Sequence, residues 1–381
     1  MTAPDAQPPT AQPATGARAS GAAGTRPRVV VLRALGLGDL LTVVPALRGL
    51  RRAYPEHEIV LAAPARFADV VAAIDAVDRL LPTVAPAREV PTSLDWEGPP
   101  PEVAVDLHGN GPLSHDLLDT LRPGHIISWA HPGHDGPTWR EDEHERVRWC
   151  RLLRWHGITA DPDDVRLDVV CPPGPGAVLL HPGADAASRR WPPDRFAAVA
   201  RALSAAGLPV LITAGHGERA LAESVATLAG LPPETVVGGS PTRAHPTADG
   251  AVGAAAAGDG KADDGKADAS GGDVPFGVLA RRIAGARAVV VGDTGIAHLA
   301  SAVGTPSVVL FGPVSPALWG PPEHSRHRVI WHPDDPTVLR PGDAHGTTPD
   351  ARLLRVDVKD VLEELDALGI PTEPALSGAA Q

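Results

Sequence analysis

Short runs of β-branched residues and leucine alternate along the chain with longer stretches whose apolar positions recur every three or four residues. "RVVVLR" (28–33) suits a buried parallel strand, and Gly36 and Gly38 break it. "DLLTVVPALRGLRRAYP" then has helical spacing and stops at Pro55. "EIVLAAP" reads as a second strand, "RFADVVAAI" as a second helix, and "VDRLLP" and "VAVDLHG" as further strands. The pattern restarts near residue 174. The strands there are "AVLLHPGA", "PVLITAG", "TVVGG", "AVVVGDTG" and "SVVLFGP", separated by the helices "PPDRFAAVARALSAAG", "GERALAESVATLAG" and "FGVLARRIAGA". Alternation of this kind predicts βαβ units and two doubly wound parallel sheets.

The expected organisation is a disordered tail over 1–26, an N-terminal Rossmann-like domain over 27–165 and a C-terminal one over 174–345. The polar stretch 145–173 is a candidate hinge. A last amphipathic helix is expected within 350–370, where "VDVKDVLEELDALG" lies. Residues 241–273 are rich in Gly, Ala and Asp and lack periodicity, which predicts a disordered insertion in the second domain. Extra loop length costs little closure entropy, so deleting 243–272 is expected to leave the melting temperature nearly unchanged. A large drop would show that the segment belongs to the core.

Composition narrows the chemistry. The chain has 381 residues and a formal net charge of -12, with no basic stripe, so a nucleic-acid partner is not expected. Its only lysines are Lys261, Lys266 and Lys359, none of them in an apolar pattern, so a phosphate must be met by arginine or backbone N–H groups. Cys150 and Cys171 form neither a disulfide framework nor a metal spacing. No apolar run reaches the ~20 residues of a membrane helix, and the N-terminus has no signal-peptide core. The expectation is a soluble cytoplasmic protein, working at the inner face of the membrane if its acceptor is membrane-bound.

The polar tips of the strands carry the candidate chemistry. Asp39 follows a Gly-rich turn at a helix start, where it is either a helix cap or a base facing a cleft. The same turn lacks the third glycine, and the next strand lacks the terminal acid, of a dinucleotide fingerprint. Asp106, His108 and Asn110 stand beyond a strand in "VDLHGNG", a segment that also suits a turn. Ser188, Arg189 and Arg190 precede Trp191-Pro192 and a helix, a place suited to a diphosphate. In "GDTGIAHLASA", Asp293, Thr294, Gly295 and His298 lie at a helix start whose free N–H groups suit an anion. "DPDD" (161–164) and "HPGH" (131–134) are weak metal signals, and no metal or cofactor is expected.

Taken in order, "LRALGLGDLLTVVPALRGLRRAYP", "VDLHGNG", "HPGADAASRRWPPDRF", "ITAGHGE" and "GDTGIAHLASAVGTPSVVLFGP" resemble glycosyltransferase family 9, the ADP-heptose:lipopolysaccharide heptosyltransferases. The resemblance runs from about residue 28 to 369. It implies an α/β fold of GT-B type, with two Rossmann-like doubly wound domains facing across a cleft. It also implies inverting, metal-independent transfer of a sugar, a heptose from ADP-heptose, to a hydroxyl of a glycan or glycolipid acceptor. By the same resemblance Asp39 is the general base, Arg189 meets the donor phosphates and Glu218 meets the ribose. Asp293, Thr294, Gly295 and His298 form the donor loop, with Ser188 beside Arg189. Asp106, His108 and Asn110 fall on the acceptor side. Two alternatives remain open on the sequence: another sugar-nucleotide enzyme such as an epimerase, or a non-catalytic nucleotide-sugar-binding module.

Overall fold

The computed structural model describes residues 26–85, 89–171, 176–239 and 274–373. The expected tail lies outside the described residues apart from Arg26, and the expected insertion at 241–273 lies wholly outside them. The chain divides into two compact units, Met1–Leu167 and Asp168–Gln381.

The first unit holds strands β1 (Arg28–Leu32), β2 (Glu58–Ala63), β3 (Arg79–Pro82), β4 (Val103–Asp106) and β5 (His125–Ile127). All its strand pairs are parallel, in the order β3-β2-β1-β4-β5. Val29 to Leu32 are fully buried, which explains the unbroken apolar run: a parallel strand is covered on both faces. The helical stretch after β1 is two helices, not one. Helix α1 (Leu37–Thr42) ends at Val43, and α2 (Val44–Ala53) begins with Pro45 in its first turn. Proline has no N–H to continue the ladder and its ring crowds the preceding turn. Helices α3 (Ala68–Ile74) and α4 (Leu113–Asp119) follow β2 and β4.

The stretch expected to be a hinge is helical in its first part. Helix α5 (Glu145–Trp155) buries Trp149, Cys150, Leu152 and Leu153. Trp129, Trp139 and Trp149 meet edge-on or tilted, with centroids 5.2–6.0 Å apart. Such ring pairs add about 0.5–1.5 kcal/mol each beyond the area they bury. Burial pushes the Cys150 thiol up to about 12. At the end of α5, burial lowers His156 to about 4, against an ordinary value near ~6.5. Between those two values the unfolded chain binds a proton that the folded chain refuses, so stability falls as pH drops from about 6.5 to about 4. The expected slope from this group is at most about 1.4 kcal/mol per pH unit. Urea midpoints of wild type and His156→Gln at pH 7 and pH 5 check it: the variant should lose less stability on acidification, and equal losses would contradict the assignment.

The second unit holds β6 (Val178–His181), β7 (Val210–Ala214), β8 (Val236–Gly238), β9 (Ala288–Gly292), β10 (Ser307–Leu310) and β11 (His327–Ile330). They pair in parallel in the order β11-β10-β9-β6-β7-β8. Helices α6 (Pro193–Ala205), α7 (Arg219–Ala229), α8 (Phe276–Ala284), α9 (Gly295–Val303) and the short α10 (Pro316–Trp319) connect them. Helix α11 (Val358–Ala367) closes the described chain, and its Val361 and Leu365 join Val199, Leu203 and Leu310 in one buried cluster. Among the described residues, no helix is long and apolar enough to cross a membrane.

Candidate functional site

Each sheet reverses its strand order once, between β1 and β4 in the first unit and between β6 and β9 in the second. Loops leaving neighbouring strands part at such a point and leave a crevice at the strands' carboxyl ends. The polar tips singled out in the sequence follow β1, β4, β6, β7 and β9.

In the first unit, Asp39 lies in the first turn of α1 but is not its cap. The capping position is Gly36, and Asp39 Oδ2 reaches back to accept from the Gly36 N–H at 3.0 Å. Asp39 is 7% exposed. Beside it lies Arg33, a residue the sequence did not single out. Its Nε donates to the Asp39 carbonyl at 3.0 Å, and its Nη2 lies 3.6 Å from Asp39 Oδ1 and 3.1 Å from Glu145 Oε1. The one available hint was a charge directly after a buried apolar strand.

At the end of β4, Asp106 is fully buried, and its Oδ1 accepts from the backbone N–H of His108 at 2.8 Å and of Gly109 at 3.3 Å. His108 Nδ1 accepts from the Ala34 N–H at 3.2 Å, so the ring proton sits on Nε2, which donates to the Glu89 carbonyl at 3.2 Å. Burial lowers the His108 pKa, which keeps this tautomer neutral. These two side chains therefore tie the ends of β1 and β4 together. Asn110, the third residue predicted here, is exposed. His115 of α4 places Nε2 3.2 Å from Asp106 Oδ2. Burial pushes the carboxyl up, and burial together with the charges of His134 and His131 lowers the imidazole to about 4, so both groups are driven toward their neutral forms.

In the second unit, the loop after β6 carries Ser188, Arg189 and Arg190. Arg189 Nη1 donates to the Asp293 carbonyl at 3.0 Å, and Nη2 lies 3.9 Å from Asp185. This contact sets the guanidinium at the entry to α9. Gly292 permits it, because a Cβ there would come within 2.9 Å of the Arg189 carbonyl. Thr294 caps α9, its Oγ1 accepting from the Ile296 N–H at 3.3 Å, and Gly295 is the first helical residue. His298 is buried one turn on, its ring centroid 6.0 Å from that of Trp319. Ser188 is held by the 346–350 segment: its N–H donates to the Gly346 carbonyl at 3.1 Å and its carbonyl accepts from the Asp350 N–H at 3.2 Å. The Ser188 hydroxyl and Arg189 Nε are buried without hydrogen-bond partners among the described residues.

Glu218 stands just before α7, its Oε2 accepting from the Gly215 N–H at 2.8 Å. That oxygen lies 4.0 Å from His181 Nε2, and Oε1 lies 3.9 Å from Arg190 Nη2. A Cβ on Gly183 would fall 1.9 Å from Glu218 Oε2, so only glycine lets the loop after β6 approach the carboxylate this closely. His181 is buried, its Nδ1 3.0 Å from Thr213 Oγ1, and burial lowers its pKa. The structure thus brings together Ser188, Arg189, Asp293, Thr294 and Gly295. Glu218 is grouped with His181 and Arg190.

The weak metal signals have other partners. Asp164 pairs with Arg48 at 2.6 Å and Arg52 at 3.1 Å, and Asp163 with Arg146 at 2.9 Å. His134 Nε2 lies 3.1 Å from Asp119. Among the described residues, no three His, Cys, Asp or Glu side chains are grouped so that they could hold a metal ion.

Residues 272–338, which contain β9, the α9 cap and β10, match the family model of glycosyltransferase family 9 (heptosyltransferase). No curated protein sequence matches the chain. Among solved structures, ADP-heptose lps heptosyltransferase II of E. coli is similar at a TM-score of 0.63 and 19% identity, over 90% of this chain and 98% of that one. A glycosyltransferase family 9 protein of Veillonella parvula is similar at 0.64 and 17%, over 90% and 97%. The E. coli heptosyltransferase WaaC, solved with ADP, is similar at 0.60 and 17%, over 90% and 99%. At these identities the likeness is one of fold, and the fold is GT-B.

Proposed function

We propose that this chain, a family-9 glycosyltransferase by its 272–338 segment and its fold, transfers a heptose from ADP-heptose to a hydroxyl of a glycan or glycolipid acceptor. The transfer inverts the anomeric carbon and uses no metal ion. The observation that carries this reading is the Arg189 guanidinium held on the Asp293 carbonyl at the start of α9. A cation and a helix N-terminus together suit a diphosphate. The binding of ADP by WaaC, a protein of the same fold, supports the choice of nucleotide.

In this reaction the acceptor oxygen attacks the anomeric carbon as the bond from that carbon to the diphosphate oxygen breaks. Asp39 takes the acceptor's proton, and the electron pair of the broken bond leaves on ADP. The Arg189 guanidinium and the α9 N–H groups stabilise the charge that builds there, work a metal ion does in other enzymes. Glu218 accepts from the ribose, Asp293 and His298 line the sugar's surroundings, and the Ser188 hydroxyl reaches the donor. Asp106 and His108 hold their loop, which leaves exposed Asn110 to meet the acceptor. The protein works in the cytoplasm, at the inner face of the membrane when the acceptor is a lipid.

Arg189→Ala is expected to weaken ADP-heptose binding by about 2–4 kcal/mol, the scale for removing one partner of a desolvated charge-assisted contact. Arg190→Ala should change it little, since Arg190 is turned onto the Ala184 carbonyl at 2.7 Å. Calorimetric titration checks both; tight binding by Arg189→Ala with loss in Arg190→Ala would move the phosphate contact to Arg190. The function itself is tested by incubating the enzyme with ADP-heptose and heptose-deficient lipopolysaccharide in excess EDTA and reading the product's anomeric configuration by NMR. Inversion is expected. Retention, or activity that returns only with added Mg²⁺ or Mn²⁺, would contradict it.

A further inference from the structure

Arg33 follows β1 directly and is 1% exposed. A guanidinium in such surroundings is costly unless its donors are used and its charge is met. Here they are. Nη1 donates to the Leu107 carbonyl at 2.6 Å, just past the end of neighbouring β4. Nε donates to the Asp39 carbonyl at 3.0 Å. Nη2 faces Thr42 Oγ1 at 3.4 Å, Glu145 Oε1 at 3.1 Å and Asp39 Oδ1 at 3.6 Å. The Trp149 ring lies 4.9 Å from the guanidinium carbon. Glu145 is fixed in turn, accepting from Trp149 Nε1 at 2.9 Å and from Arg148 Nη1 at 2.6 Å.

We infer that Arg33, clamped by Glu145 and Trp149 of α5, is the positioning residue of Asp39. The inference rests on Asp39 being the base. Arg33 acts on it in two ways. Through the Asp39 carbonyl it fixes the first turn of α1, whose Gly36 N–H holds Oδ2. Through space its charge faces Oδ1 from beyond hydrogen-bond range, so it orients the carboxylate without closing a direct bond on that oxygen. A lysine could not do both, because one ammonium cannot span the Leu107 carbonyl, the Asp39 carbonyl and Glu145 as the planar fork does. Helix α5 thereby becomes part of the catalytic support, through Glu145 and Trp149.

The test compares Arg33→Met, Arg33→Lys and Asp39→Asn, following ADP release from ADP-heptose with heptose-deficient lipopolysaccharide as acceptor. Arg33→Met is expected to lower kcat by about 10²-fold, the cost of a reacting group displaced by about 1 Å. Donor KM and calorimetric ADP-heptose binding should stay at wild-type values. Arg33→Lys should give an intermediate kcat, because it restores the cation without the planar fork. If Arg33→Met does not fold, Arg33→Lys decides alone. A wild-type kcat in the Arg33 variants, with Asp39→Asn inactive, would overturn the positioning role and leave the base in place. Donor binding lost in step with kcat would also overturn it, since that marks a general structural effect. A fully active Asp39→Asn would remove the base, and this inference with it.

Discussion

Asp39→Asn is expected to fold as the wild type does, to bind ADP-heptose with unchanged affinity, and to lose transfer by about 10²–10⁴-fold, the usual loss when a general base is removed. Folding should survive because the asparagine side-chain oxygen can still accept from the Gly36 N–H, and Arg33 keeps its ion pair with Glu145. Donor affinity should survive because the groups assigned to the donor all lie in the second unit, Asp168–Gln381. Single-turnover rates together with donor titration separate the two effects. A folded Asp39→Asn enzyme working at the wild-type rate would remove Asp39 from the mechanism.

Glu145→Ala is expected to destabilise the first unit by about 3–5 kcal/mol, the range measured when one partner of a buried ion pair is deleted and the other is left uncompensated. The side chains of Glu145 and Arg33 are 6% and 1% exposed, so water cannot take over the lost contact. The change also takes acceptors from Arg148 Nη1 and Trp149 Nε1. Denaturant unfolding of wild type and variant reads the difference directly. A loss below about 1 kcal/mol would place this pair among exposed surface ion pairs, which contribute little.

The two sheets were legible because parallel strands covered on both faces are written as unbroken runs such as "VVVL" and "AVVVG", and the helices between them carry a clear apolar stripe. The break at Val43 was written too, in Pro45, but the apolar spacing runs straight through it. Helix α5 fell inside the candidate hinge because 145–173 carries Pro and Asp, all of them after the helix, whose own sequence, "ERVRWCRLLRW", is dense in charge. Several of those charges, Glu145, Arg146 and Arg148, are buried in ion pairs, and a hydropathy pattern cannot tell a paired buried charge from a solvated one. For the candidate site, residues in one strand-to-helix loop could be named from the sequence, as at Asp39 or Asp293-Thr294-Gly295. Partners from distant segments could not. Arg33 meets Glu145 across 112 residues, and Ser188 is held by Gly346 and Asp350 from a segment with no motif of its own. Periodicity and local spacing carry no signal for such pairs.

Under the proposed function the second unit binds an ADP-linked sugar through Arg189 and the start of α9, with no metal between protein and diphosphate. Calorimetric titration of the wild-type protein with ADP-heptose, and with UDP- and GDP-linked sugars, in excess EDTA tests it most directly. Saturable binding of ADP-heptose is expected at an affinity unchanged by the chelator, with the UDP and GDP sugars weaker. Absence of binding by any nucleotide sugar, or binding that appears only after Mg²⁺ or Mn²⁺ is restored, would contradict it.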